Sequence, residues 1–526
     1  MTRAYSAQTN LYVRIAVFWF FIVEGVYNGV LSAYLPQIQS RLGINDSMLG
    51  LAMLLNYLGQ CLATPGAGLT MRKKGSRVAT FSGGFAFVLC IPFVAMNSSY
   101  TAFCAILLYF GLSQGFMDCS MNSCAILTEV IAKYPILGSF HGSYSIAAAV
   151  GAFAGNAMSA ANWSDMIVCT ALASVSAVLT LLAGYTLYDL REEKEISGLA
   201  CQEAEVATQA EKAAARAIED SFTASAFEAS QISPVGPGFH ADRSQSRSKD
   251  RRESLERFTG YDQSYNTNST LGSGAQGSAD NLPLLEMVKS EDKGRYRWLT
   301  TLFMVPQTMP LFYLSLLGYL ASFAESGITT FVIIFYTREF PSAPASTYTI
   351  GFVCFEVFMG CGRFIVDKLR RWLGSRNVCK MGGLLSTSGL ALLIWAPSLT
   401  PASGSTTSSI DIIVASFGMC VCGFGLSTLI PISFACAGYI EHSGTSIATV
   451  ACWMYTGGIL SSPLVGAVSS GFGSLRVGMG FIALCTFFIF PLGLKIPADR
   501  YTQLAVLERD EESVVLEDDL NAPLIV

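Results

Sequence analysis

Apolar stretches of roughly 20 residues or more recur twelve times along this chain, each long enough to cross about 30 Å of hydrocarbon. A backbone inside lipid must satisfy its own hydrogen bonds, so such stretches have to be helices or strands of a closed barrel. Their length and lack of strict alternation select helices. The stretches lie near 12–36, 48–70, 78–97, 101–130, 137–160 and 164–188, then near 309–337, 347–366, 378–398, 409–437, 446–469 and 473–494. The fourth and tenth are long and carry glycines, which predicts tilting or bending. The first begins behind a short polar tail, has no small-residue cleavage site after it and contains Glu24, so it reads as a retained helix.

Composition supports the same solvent. Only 13% of residues are charged, too few to cover a soluble chain of 526 residues. The net charge of −5 argues against a nucleic-acid partner. The fifteen cysteines sit mostly inside apolar runs and read as small packers, not disulfides or metal ligands. There is no phosphate-binding Gly-x4-Gly-Lys loop, no HExxH and no Gly-x-Ser-x-Gly, so neither an ATP-driven pump nor an enzyme is expected, and no cofactor.

Lys and Arg divide the loops into two sets. The loop after the second stretch holds Arg72, Lys73, Lys74 and Arg77, and that after the eighth holds Lys368, Arg370, Arg371, Arg376 and Lys380. Alternate loops carry only Arg41, Arg338 or Arg476, or no base at all. The positive-inside rule then puts both termini in the cytoplasm. Asn-x-Ser triplets at Asn45, Asn97 and Asn162 fall in loops on the opposite side, where they could carry glycans.

Four segments follow: a first six-helix bundle over 1–188, a cytoplasmic linker over 189–308, a second six-helix bundle over 309–497 and an acidic cytoplasmic tail over 498–526. The linker holds 33 of the 71 charged residues and turns Ser-, Gly- and Asn-rich, so its second part is expected to be disordered. Within it, the RRESL at Ser254 resembles a basophilic kinase site, and DNLPLL (280–285) an acidic dileucine sorting signal.

The two bundles repeat one another. Glu24 matches Glu325 and His141 matches His442, both at an offset of 301 residues. HGSYSIA (141–147) lies on HSGTSIA (442–448), and Gly-Ser-Arg at 75–77 on Gly-Ser-Arg at 374–376. Two halves of equal topology imply a two-fold axis along the membrane normal, with a site between them.

These features resemble the major facilitator superfamily over both halves. GLTMRKKGSR (68–77) is similar to that superfamily's gating loop, with Arg72 where an acid is expected, and GCGRFIVDKLRRWLGSR (360–376) is a second copy that keeps Asp367 and adds Arg363. GLSQGFMDCSMN (111–122), GSFHGSYSIAAAVGAFAG (138–155), AESG (324–327) and GFGLSTLIP (423–431) resemble the fucose-permease-like and YbjJ-like branch. The resemblance implies an all-α membrane protein of twelve helices and a solute carrier working by alternating access. It implies gating roles for Arg72, Lys73, Gly75, Arg77, His141, Arg363, Asp367, Arg371 and His442, and proton coupling at Asp118, which occupies the place of the fucose permease's acid in the fourth helix. That permease's second acid, in the first helix, corresponds to Ser32 here.

Helical spacing groups the polar residues inside the apolar stretches. Glu24, Asn28 and Ser32 share a face with Tyr27 beside them; Gln114, Asp118 and Asn122 share another; Asn56, Gln60 and Thr64 a third; Ser322, Glu325 and Thr329 a fourth. A charge in the membrane is costly and marks function by default, so Asp118, Glu325 and Glu24 are the proton-coupling candidates, with no Lys or Arg expected mid-helix to neutralise them. Glu356 lies two turns from Arg363 on one face, about 10 Å along the axis. It reads equally as a charge network or a site. Substrate-binding candidates are Tyr27, Asn28, Ser32, Gln114, Asn122, Tyr144, Thr329, Trp453 and Tyr455. The expected partners are a small polar solute, sugar-like in class, protons and lipid, with a monomer as the oligomeric state. The expected location is the plasma membrane or an endosomal or vacuolar membrane. An exporter of amphipathic compounds by proton antiport and a non-transporting receptor or scaffold are the competing readings.

Overall fold

The computed structural model describes residues 7–96, 98–132, 136–194, 196, 306, 308–399, 409–440 and 445–496. The linker motifs at Ser254 and 280–285, together with His442 and the acidic tail, lie outside the described residues. The described elements are helical. The first half contains α1 (Ala7–Leu42), α2 (Asp46–Lys74), α3 (Ser76–Val88), α4 (Ile91–Met96), α5 (Tyr100–Ala132), α6 (Leu137–Ala160) and α7 (Asp165–Thr186). The second contains α8 (Met309–Glu339), α9 (Ile350–Leu373), α10 (Ser375–Trp395), α11 (Ser409–Leu426), α12 (Leu429–Ile440), α13 (Thr445–Phe472), α14 (Leu475–Phe487) and α15 (Ile489–Gly493).

Ten of these helical segments are long and apolar enough to cross a membrane. The two other long helices, α6 and α13, run 24 and 28 residues. Both are rich in Gly, Ala and Ser, which lowers their hydropathy while leaving their length sufficient. The bend expected in the tenth stretch is a break between α11 and α12 at Ser427–Thr428. The fourth stretch, by contrast, is one continuous helix, α5: its glycines serve packing and do not bend it.

Helix ends follow ordinary capping chemistry. Asn45, exposed and one of the Asn-x-Ser asparagines, accepts the Met48 amide at 2.9 Å and starts α2. Gly75 at φ 89° and Gly374 at φ 74° each end one helix and begin the next, a conformation that side chains resist. The paired Gly-Ser-Arg triplets thus fold alike. Arg77 donates to the Gly184 carbonyl at 3.0 Å, and Arg376 to the Ile496 carbonyl at 2.7 Å.

Packing repeats between the halves. α1 packs on α6 and α2 on α5 in the first, as α8 packs on α13 and α9 on α11 in the second. Glycines carry these contacts. A Cβ on Gly111 or Gly115 would strike the backbone of Asn56 or Gln60 across the α2–α5 contact. One on Gly423 would strike the Phe355 carbonyl across α9–α11. The halves meet along two seams, α2 with α13 and α6 with α9, which the same repeat relates to one another. Among the described residues fourteen cysteines are in no disulfide, thirteen of them within helices and Cys90 in the turn between α3 and α4.

Candidate functional site

Side chains from three helices of the first half form one hydrogen-bonded chain. Glu24 of α1 is 6% exposed, and its Oε1 accepts from Gln114 Nε2 of α5 at 2.9 Å. Gln60 of α2 donates to Gln114 Oε1 at 3.3 Å and to Asn56 Oδ1 at 3.1 Å. Asn56 and Gln60 are therefore interhelical glue that reaches the Glu24 carboxylate itself. One turn further along α5, Asp118 accepts from Asn122 Nδ2 at 2.8 Å. Asn28 donates to the Glu24 carbonyl at 3.0 Å, and Ser32 is buried two turns from Glu24.

The second half contributes a cation that the sequence reading did not place here. Arg363 of α9 donates to Glu325 Oε1 of α8 at 2.9 Å and to Ser145 Oγ of α6 at 2.9 Å. Glu325 is thus an ion-pair partner, contrary to the expectation that no base would neutralise it. The physical reason is reach: a long guanidinium stem on α9 extends to the neighbouring α8 and across the seam to α6. Glu356, whose pairing with Arg363 the spacing allowed, is 2% exposed, and its Oε2 has no hydrogen-bond partner.

Aromatic residues stand among these acids. Tyr144 of α6 lies within electrostatic reach of Glu24, Glu356, Glu325 and Tyr57. Tyr57 of α2 lies beside Ser326, Glu325 and Thr329. Tyr455 keeps 40% of its surface accessible and lies within electrostatic reach of Asp118, Cys119, Cys61 and Glu24. Two candidates sit elsewhere. Tyr27 is fully buried, donates to the Val88 carbonyl at 2.9 Å and packs on Phe87, so it belongs to the core of the first half. Three residues along a helix is 300°, and that 60° offset from Glu24 turns its ring toward α3. Trp453 packs edge-on against Phe312 and Tyr319, between α8 and α13.

The gating candidates include residues of the basic loops. At the basic-loop end, Arg72, Lys73 and Arg371 are exposed. Asp367 is within α9. His141, at the start of α6, packs edge-on against Phe21 at 5.1 Å and lies within electrostatic reach of Arg363. A contact that sequence reasoning missed closes the loop between α2 and α3. The Glu193 carboxylate, beyond α7, accepts from the Ser76 amide at 2.7 Å, from the Ser76 hydroxyl and from the Arg77 amide at 3.4 Å. A carboxylate there meets the positive end of α3. Burial nonetheless pushes the Glu193 carboxyl above its ordinary value.

The opposite end holds a second unanticipated cluster. Asp46, 5% exposed, accepts from both terminal nitrogens of Arg338, at 2.8 and 2.6 Å, and from Gln39 at 2.8 Å. Ser469 donates to its other oxygen at 2.5 Å. Ser47 adds bonds to the Gly466 carbonyl and the Ser470 hydroxyl, both at 3.1 Å. This cluster ties α1 and α2 to α8 and α13, and so one half to the other. Its residues are separated by 292 positions or more across the halves, and nothing in local spacing signals the pairing.

Comparison with known proteins adds five findings. The family model described as Major Facilitator Superfamily matches residues 15–461. An uncharacterised MFS-type transporter of Yersinia pestis is 22% identical over 468 residues, covering 88% of this chain and 90% of that protein. The membrane protein MosC of Rhizobium meliloti is 23% identical over 149 residues, 27% of this chain and 33% of that one. Among solved structures, the nucleoside transporter NupG superposes with a TM-score of 0.56 at 12% identity, over 93% of this chain and 100% of that one. An inward-facing bacterial homologue of the human lysosomal transporter Spinster superposes with a TM-score of 0.57, also at 12% identity, over 93% and 97%. At that identity the likeness is one of fold.

Proposed function

This chain belongs to the Major Facilitator Superfamily as a multi-pass membrane transporter, and from that premise we propose that it is a secondary carrier, moving a small polar solute by alternating access with proton coupling. The observation that carries the reading is the convergence of Glu24, Gln114, Asp118, Glu325 and Arg363 from four helices of both halves on one region, lined by Tyr144 and Tyr455. Lipid would not tolerate so many polar groups unless they served a pathway.

In this reading Asp118 carries the proton first, with Glu325 and Glu24 next. Asp118 lies within electrostatic reach of Tyr455 and lacks the guanidinium that Glu325 holds. Gln114, Asn122, Asn28, Thr329, Tyr144 and Tyr455 offer hydrogen bonds and ring faces to the solute. Motion of one half against the other would break and remake the Asp46–Arg338 cluster at one end, and contacts of His141, Arg363 and the basic loops at the other. The sequence likeness to fucose-permease-like carriers supports a sugar-like solute.

The test is uptake of labelled small solutes by proteoliposomes under an imposed pH gradient. Accumulation above protein-free liposomes that collapses with the gradient is the expected result. Accumulation indifferent to the gradient would remove the proton from the reading, and none for any solute would remove transport.

A further inference from the structure

Glu356 is the acid that the proposed transport cycle leaves without work. It lies in α9, 2% exposed, and Oε2 is the only carboxylate oxygen among the buried, unpartnered side-chain atoms of the described residues. Arg363 does not serve it: that guanidinium is committed to Glu325 and Ser145, both at 2.9 Å. The groups that bear on Glu356 are the Glu325 carboxylate, Arg363 and the Ser145 hydroxyl. Tyr144 stands within reach of Glu356, Glu325 and Glu24 together.

The charge inventory of this region is lopsided. Glu24, Asp118, Glu325 and Glu356 are four carboxyls from both halves, against the one guanidinium of Arg363. A buried carboxylate oxygen with no donor calls for one, and a charged donor satisfies it best. The Tyr144 ring, within electrostatic reach of Glu356, offers a cation a second favourable surface.

We propose that Glu356 and Tyr144 form the recognition site for the ammonium group of a cationic solute. The inference rests on the transporter reading and names its substrate class. The ammonium would donate to Glu356 Oε2 and lie against the Tyr144 ring. Arg363, two turns along α9 and held by Glu325, would be kept off the same carboxylate. Neutral solutes would offer Oε2 only an uncharged donor and anionic solutes would bring a like charge beside it, so both would be discriminated against in favour of amines.

The experiment uses the full chain in proteoliposomes and three pooled sets of probes: ethanolamine, agmatine and glucosamine; glucose, ribose and inositol; glucuronate, lactate and succinate. Internal contents are read by mass spectrometry. Wild type should accumulate one or more amines and none of the neutral or acidic probes. Glu356→Gln should weaken amine uptake about tenfold or more at limiting concentration, as the loss of one charge-assisted hydrogen bond implies, while Glu356→Asp retains part of it. Accumulation of only neutral or acidic probes would overturn the inference and leave the transporter reading intact. So would Glu356→Gln moving amines at the wild-type rate. No accumulation from any set, in either direction of the gradient, would fell the transporter reading and the inference with it. The comparison of sets uses wild type alone, so it holds even if the variant fails to fold.

Discussion

Asp118 and Glu325 are both acids within apolar helices, yet only Glu325 has a guanidinium at 2.9 Å. That difference separates their expected behaviour on substitution. Asp118→Asn keeps the size of the side chain and its contact with Asn122 but cannot bind and release a proton. It should abolish accumulation driven by a pH gradient while leaving solute binding in place, read by uptake and by ligand-induced thermal stabilisation. Full pH-driven accumulation by this variant would make Asp118 structural. Glu325→Ala instead strands Arg363 with Ser145 as its remaining bonded partner. Thermal unfolding in detergent should then show a loss of roughly 2–3 kcal/mol, because a poorly exposed charge has lost its counter-ion. An unchanged melting temperature would show that water replaces the carboxylate.

Two short contacts fix helix ends. Glu193 accepts from the first amides of α3, and burial raises its carboxyl above the ordinary value. With the folded value above the unfolded one, its contribution to stability is complete below the unfolded value and fades as pH rises through the folded one. Glu193→Gln should therefore flatten the stability profile just above the ordinary carboxylate range, measured as melting temperature against pH; a profile parallel to wild type would refute this. At the other end, Arg338→Ala should cost about 1–2 kcal/mol, less than a fully enclosed pair, because Arg338 is 42% exposed. It should also speed maleimide labelling of Ser462→Cys, which sits sealed at the α2–α13 seam. Much at this scale was legible beforehand. Apolar length gave the helices, four-residue spacing gave the Gln114–Asp118–Asn122 face, and the twin Gly-Ser-Arg triplets gave two like turns. The Asp46 cluster and the Glu193 cap were not, because each joins residues more than a hundred positions apart and depends on how helices lie side by side. The direction of Arg363 was equally hidden, since spacing along α9 ranks Glu356 as a partner and says nothing of α8.

At the scale of the whole chain, two halves with matching helix pairs meet along the α2–α13 and α6–α9 seams. If solute passes by rocking of these halves, fastening one end must stop it. Ser47 and Ser470 touch across that end, so the pair Ser47→Cys and Ser470→Cys, bridged by a short bifunctional thiol reagent, should halt uptake until the bridge is cleaved. Uptake that continues through the bridge would contradict rocking about this seam. Each half must also move as a unit, and its glycines decide that. At Gly111, Gly115, Gly389 and Gly418 a single methyl would run into the backbone of the facing helix. Every glycine codon lies one base from alanine, valine and an acidic residue, so these positions present an unusually broad target for harmful single-base changes. A saturation library of this gene, sorted for function, should show them stripped of nearly every alternative, while the exposed lipid-facing leucines beside them drift freely among apolar residues.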